Sequence, residues 1–129
     1  MNINKSESII AKKSYAFALE VIKCYKILVS EKKEFVLSKQ ILRAATSIGA
    51  NVNEAVCAQS KRDFVHKLSI ALKEARETLY WLNLLKDSEY INKEIHLTLS
   101  NYCMELNKIL TSIILTTKEK YFKSVTQNS

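Results

Sequence analysis

Between Ser38 and Leu85, apolar residues recur in alternating steps of four and three. Ile41, Ala45, Ile48, Val52 and Ala55 form one series; Phe64, Leu68, Ala71, Ala75, Thr78, Leu82 and Leu85 form the next. That spacing keeps side chains on one side of an α-helix, so each series predicts a helix burying one continuous stripe. Only Gln59-Ser60 separates the two. The Ser60 hydroxyl can accept from the amides that open the second helix, and Asp63 completes a capping-box-like pair.

Upstream, Ile10, Phe17, Val21, Cys24 and Leu28 make a third stripe. Beside it run Ala11, Tyr15, Ala18, Ile22, Tyr25 and Val29. Together they form an apolar arc wider than one bundle core usually needs. Either the core face is wide, with tyrosines at its rim, or a second face meets another subunit. Downstream, Asp87 to Ile91 reads as a turn and Asn92 as a helix cap, followed by Ile95, Leu99, Tyr102, Leu106, Ile109 and Ile113. The pattern predicts helices over about 6–30, 38–58, 61–86 and 92–117, with a frayed tail over 118–129. In the linker from Glu31 to Leu37, Phe35 and Leu37 are placed to plug the end of the core, and Ser38 to cap the second helix. Four amphipathic helices with short connections predict one all-α domain over 1–129, an antiparallel up-down-up-down four-helix bundle.

Composition agrees. The chain has no proline and one glycine, which leaves little turn chemistry for strands. That glycine, Gly49, lies inside the second helix, where it costs about 1 kcal/mol against alanine. Ala44, Ala45 and Ala50 surround it, so the segment reads as a place where a neighbouring helix comes close. No apolar run reaches membrane-spanning length, and the first residues lack a secretory pattern. Cys24, Cys57 and Cys103 are odd in number and far apart, and read as small buried hydrophobes in a reducing cytoplasm.

The segment LSKQILRAATSIGANVNEA, then S-x-x-DF, then KLSIALKEARETLYWLNLL resembles the 23S rRNA-intervening-sequence protein family, also called four helix bundle proteins. It departs at Phe35-Val36-Leu37-Ser38, where members often carry proline before Leu-Ser. The resemblance implies a left-handed bundle assembling into ring-like homo-oligomers, pentamers above all. It implies no settled biochemical activity. It extends to the accessory proteins of diversity-generating retroelements, in which a basic bundle ring assists a reverse transcriptase. A reverse transcriptase or a ribosomal component is therefore an implied partner, beside the chain itself.

The formal charge is +7, and its placement matters more than its size. In an up-down-up-down bundle the chain start, the Gln59-Ser60 turn and the chain end meet at one pole. Lys5, Lys12, Lys13, Lys61, Arg62, Lys67, Lys118, Lys120 and Lys123 gather there against Glu7, Asp63 and Glu119. At the other pole and in the middle the two signs nearly balance. The excess is either a solvated, solubilising cap or a surface for the phosphates of RNA or DNA. No aromatic-rich base-reading motif accompanies it, so contact would be to backbone rather than sequence. Lys12, Lys13, Lys61, Arg62, Lys67, Lys118 and Lys120 are the candidate nucleic-acid-binding residues.

Helices two and three also face each other with polar residues. Antiparallel pairing around Gln59-Ser60 predicts Arg43 near Glu77, Ser47 near Lys73, Asn51 near Ser69 and Glu54 near His66, with Arg76 in the same band. Such a network either fixes helix register or lines a groove for a ligand or partner.

Catalytic signatures are missing. One glycine cannot build a phosphate loop, and His66 and His96 have no partners at metal-ligand spacing. HEPN-type ribonucleases are helical bundles too, but Arg62 and His66 are separated by only three residues, short of that family's spacing. No nucleophile–base–orienter set is visible. The sequence predicts a cytoplasmic, non-enzymatic homo-oligomer without cofactor or metal that binds nucleic acid through its basic pole. The alternative is a protein-interaction scaffold or adaptor whose charge recruits a protein.

Overall fold

A computed structural model describes residues 4–127, with side chains as far as Phe122. Helix α1 spans Lys5–Ser30, α2 Leu37–Val56, α3 Lys61–Asp87 and α4 Lys93–Gln127. The described residues contain no strand. Each helix packs against two neighbours: α1 on α2, α2 on α3, α3 on α4, and α4 back on α1. Directions follow from cross-helix contacts. The Cys103 thiol donates to the Ala75 carbonyl at 3.2 Å, and His96 meets Asn83 at 2.8 Å, so α3 and α4 are antiparallel. The Phe17 ring packs at a tilt against Tyr102 and Lys13 pairs with Glu105, which sets α1 against α4 in the same sense.

The four-three stripes form the core. Phe17, Val21, Ile41, Ile48, Val52, Leu82, Leu85, Leu106 and Leu110 are sealed from solvent. The neighbouring series on α1 is only partly absorbed. Ala11, Ala18, Ile22, Tyr25 and Val29 stay half-buried, and Tyr15 is 67% exposed. At Gly49 a β-carbon would lie 3.6 Å from the Ser14 carbonyl oxygen, so the α1 backbone does approach α2 here at contact distance.

Capping explains the ends. Asn4 and Glu7 form a reciprocal capping box ahead of α1, an N-terminus earlier than the apolar pattern alone indicates. Ser60 accepts from the Asp63 amide at 3.0 Å and Asn92 from the Ile95 amide at 2.8 Å. The start of α2 differs from the expectation. Ser38 does not cap with its hydroxyl, which donates instead to the Glu34 carbonyl at 2.8 Å. Glu34 does the capping: its buried carboxylate accepts from the amides of Val36, Leu37 and Ser38. Phe35 is half exposed rather than plugged into the core, because the linker turns inward at Glu34 instead.

Helix α3 ends in a Schellman arrangement, with Tyr90 donating to the Leu85 carbonyl and Glu89 to that of Lys86. Glu89 therefore adopts φ 67, a left-handed conformation usually left to glycine. Helix α4 runs to Gln127, well past its expected fade near Thr117. Ile113, Ile114 and Thr117 are buried, and beyond them Phe122 packs against the core.

Two of the cysteines are buried and one is not. Burial pushes the Cys103 thiol up to about 12 and also raises Cys24. Cys57 is exposed, contrary to the reading from the stripe. It is the C-cap of α2, where the helix gives out before the residue can turn inward.

Candidate nucleic-acid interface

The bundle brings the start of α1, the α2–α3 turn and the end of α4 to one pole. Lys12, Lys61, Arg62, Lys118 and Lys120 are exposed there. Two of the candidate cations are already engaged. Lys13 pairs with Glu105 of α4 at 2.6 Å, and that carboxylate holds the ammonium above its ordinary range. Lys67 reaches Glu54 of α2 at 3.8 Å. The Lys123 side chain lies outside the described residues.

Because α4 stays helical, it carries Tyr121 into this cluster. The Lys61 ammonium lies 4.9 Å from the Tyr121 ring centroid and 5.6 Å from that of Phe64. The Lys120 ammonium lies 5.4 Å from the Tyr121 ring centroid, and Tyr121 itself is 43% exposed. An aromatic face between ammonium groups is the pairing that single-strand binders use, with stacking for the base and charge for its phosphates. Sequence reasoning missed Tyr121 because it ended the helix too early. Phe122, an apolar residue beyond Thr117 that packs against the core, was the signal that the stripe continues.

The polar band between α2 and α3 is narrower than expected. Arg43 pairs with Glu77, as the antiparallel register predicts, and also with Glu74 at 3.2 Å. Glu77 further accepts from the Trp81 indole at 3.1 Å. The Arg43 guanidinium holds the Glu77 carboxyl below its usual range, assisted by that indole. The remaining pairs do not form. Asn51 donates to the Ser47 carbonyl within its own helix at 2.9 Å, away from Ser69. Glu54 takes Lys67 rather than His66, because His66 faces solvent one position round the helix. Ser69, Lys73 and Arg76 are likewise exposed. Three of the four pairings carry no hydrogen bond or ion pair, because register places residues at the same height but does not say which way each points.

The paired acids alter the charge map. Glu20, Glu54, Glu74, Glu77 and Glu105 are the acids of the middle of the bundle, and each is held by a cation. Those cations are Lys23, Lys67, Arg43 and Lys13, two of them drawn from the pole. Lys73 and Arg76 on α3 are left without an ion pair among the described residues.

Elsewhere, His96 sits with Asn83 and Ser100 between α3 and α4, and burial keeps its imidazole below the ordinary value. A groove of about 750 Å³ opens between α1 and the start of α4 at the far pole, over Cys24, Ile27, Leu28 and Ile91. Among the described residues no three of His, Cys, Asp and Glu come together as a metal-ligand set, and no helix is long and apolar enough to cross a membrane.

The 23S rRNA-intervening sequence protein family matches residues 6–112. The chain belongs to this family. The match takes in nearly all of α1, then α2, α3 and α4 as far as Ser112, so the bundle is the family domain and the Tyr121 segment lies beyond the match. Solved structures similar to the chain include a protein of unknown function from the S23 ribosomal protein family of Bacteroides thetaiotaomicron. It is 54% identical with a TM-score of 0.84, covering 84% of this chain and 97% of that one. No curated protein matches the chain.

Proposed function

We propose that this family member is a non-enzymatic, homo-oligomeric four-helix bundle that binds RNA or DNA through its basic pole. The observation that carries the reading is the cluster of Lys12, Lys61, Arg62, Lys118 and Lys120, exposed where three chain segments meet. Phosphates are the chemistry such a cluster fits, and copies around a ring multiply the contacts and the counterions released. The half-buried series on α1 supports the assembly. An apolar strip from Tyr15 to Val29 that the core covers only in part is a surface for a second copy, with five copies the favoured number. The cytoplasm, where nucleic acid is at hand, is the proposed compartment.

Binding is tested by fluorescence anisotropy on labelled RNA and DNA of mixed sequence across a salt series. Wild type should bind tightly at low salt and lose affinity steeply toward physiological salt. Lys12→Glu/Lys61→Glu should weaken binding far more than Lys39→Glu/Lys93→Glu, an equal charge change at the far pole. Equal losses, or no binding by wild type, would reject the pole. A second reading, a scaffold or adaptor for a reverse transcriptase or ribosomal component, is favoured by exposed Leu19, Ile27, Leu97 and Leu115. Light scattering coupled to gel filtration tests the assembly both readings share, and a mass of 14.8 kDa in solution would refute it.

A further inference from the structure

Arg62, His66, Ser69, Lys73, Arg76 and Tyr80 follow one another at steps of four and three along α3 and are all exposed. They form a single line on the side of α3 opposite Phe64, Leu68, Ala75 and Leu82 of the core. From this we infer that the outer face of α3 is a nucleic-acid-binding surface of its own, along which a phosphate backbone lies parallel to the helix axis. The inference rests on the nucleic-acid reading above and extends the contact from the pole, at Arg62, along the side of the bundle.

The charge on this face is uncancelled. From Lys61 to Lys86 the acids of α3 are Asp63, Glu74 and Glu77, and none falls within the line. Asp63 sits in the first turn, while Glu74 and Glu77 turn toward α2, where both are bound by Arg43. The α2 helix thus draws off the carboxylates that would neutralise Lys73 and Arg76. Every other group in the line suits a polyanion. Ser69 and Tyr80 bring hydroxyl donors, His66 an imidazole, and Tyr80, 58% exposed, an aromatic face braced edge-on by Trp81. The line stops at Asp87, which is next to Lys86 and begins the far pole. At a rise of 1.5 Å per residue, Arg62 to Tyr80 spans roughly 27 Å, somewhat less than one turn of a duplex. A rigid helix fixes the spacing of these groups before the ligand arrives, so little backbone order is lost on binding.

The test compares three charge-reversal pairs on one labelled duplex of about two helical turns and on its single strand. The pairs are Lys73→Glu/Arg76→Glu on the α3 face, Lys12→Glu/Lys61→Glu at the pole, and Lys39→Glu/Lys93→Glu as the control. We expect the α3 pair to lower affinity at least tenfold and to reduce the slope of log affinity against log salt by about two. The control should change affinity less than threefold. If the α3 pair behaves like the control while the pole pair loses affinity, the surface is wrong and nucleic-acid binding stands. If wild type binds neither probe, both proposals fall. A smaller particle for the α3 pair in light scattering would make this face a subunit contact and overturn the inference. Should the glutamate pair fail to fold, Lys73→Gln/Arg76→Gln replaces it, with a loss of at least threefold expected and an unchanged affinity refuting the surface.

Discussion

Glu34 offers the sharpest test of how this bundle is held. It belongs to no helix, yet its carboxylate accepts from three consecutive amides, at 3.2 Å from Val36, 3.1 Å from Leu37 and 2.7 Å from Ser38. The residue is only 8% exposed, so water cannot readily take over. A hydrogen bond to a charged group contributes about 1.5–3 kcal/mol, but three bonds sharing one carboxylate do not add, and lost N-caps cost about 0.5–2 kcal/mol. Glu34→Ala should therefore cost about 2–3 kcal/mol. Glu34→Gln keeps one acceptor oxygen and should cost about 1 kcal/mol. Burial by itself would raise the Glu34 pKa, but the amides of Ser38, Leu37 and Val36 outweigh it and hold the carboxyl below its usual range. A carboxyl depressed on folding stabilises above its unfolded value, about 4.3, and loses that contribution as pH falls through the folded value. Urea unfolding followed by circular dichroism from neutral pH down to about 3 measures the difference directly. Wild type should lead Glu34→Gln at neutral pH, and the gap should close as the medium is acidified through the carboxylate range. A gap that stays constant with pH, or a loss under about 0.5 kcal/mol in Glu34→Ala, would show that the carboxylate does not hold the start of α2.

Three further outcomes follow from local geometry. At Gly49 an added methyl meets Ser14 at ordinary contact distance, so Gly49→Ala should stabilise the bundle by about 1 kcal/mol of helix propensity and raise the melting temperature. Gly49→Leu should fall below Gly49→Ala by about 1–3 kcal/mol through overpacking against α1, and an alanine variant that melts earlier would contradict the spacing. A thiol reagent should label Cys57 in the folded protein and reach Cys24 and Cys103 only after unfolding; fast labelling of all three would refute the buried positions of the other two. Tyr121→Ala should weaken single-stranded binding by about 1–3 kcal/mol while leaving duplex binding nearly intact, as base stacking requires. If Tyr121→Phe is as impaired as Tyr121→Ala, the ring is not the binding element.

By itself the sequence determined the helices and the face each one buries. Apolar residues at steps of four and three leave one low-energy arrangement per segment, and Ser60 and Asn92 mark their starts by chemistry local to a few residues. The basic pole was legible for the same reason, since short connections between helices fix which ends meet. Arg43 with Glu77 was legible because both the register and the direction of their side chains agreed. Only the tertiary structure decided the rest. Glu34 became the cap of α2 because the linker folds its side chain into the bundle end, a choice made by packing rather than by propensity. Helix α4 continued past Thr117 because Phe122 found the core to pack against. Which cations stay free was likewise a matter of three dimensions. Lys13 and Lys67 look equivalent to Lys12 and Arg62 in a list of charges, but Glu105 and Glu54 on neighbouring helices are within reach of the first two alone. Coulomb attraction acts over a few ångströms in water, so a site is set by which side chains the packed helices bring together, and sequence order does not contain that distance.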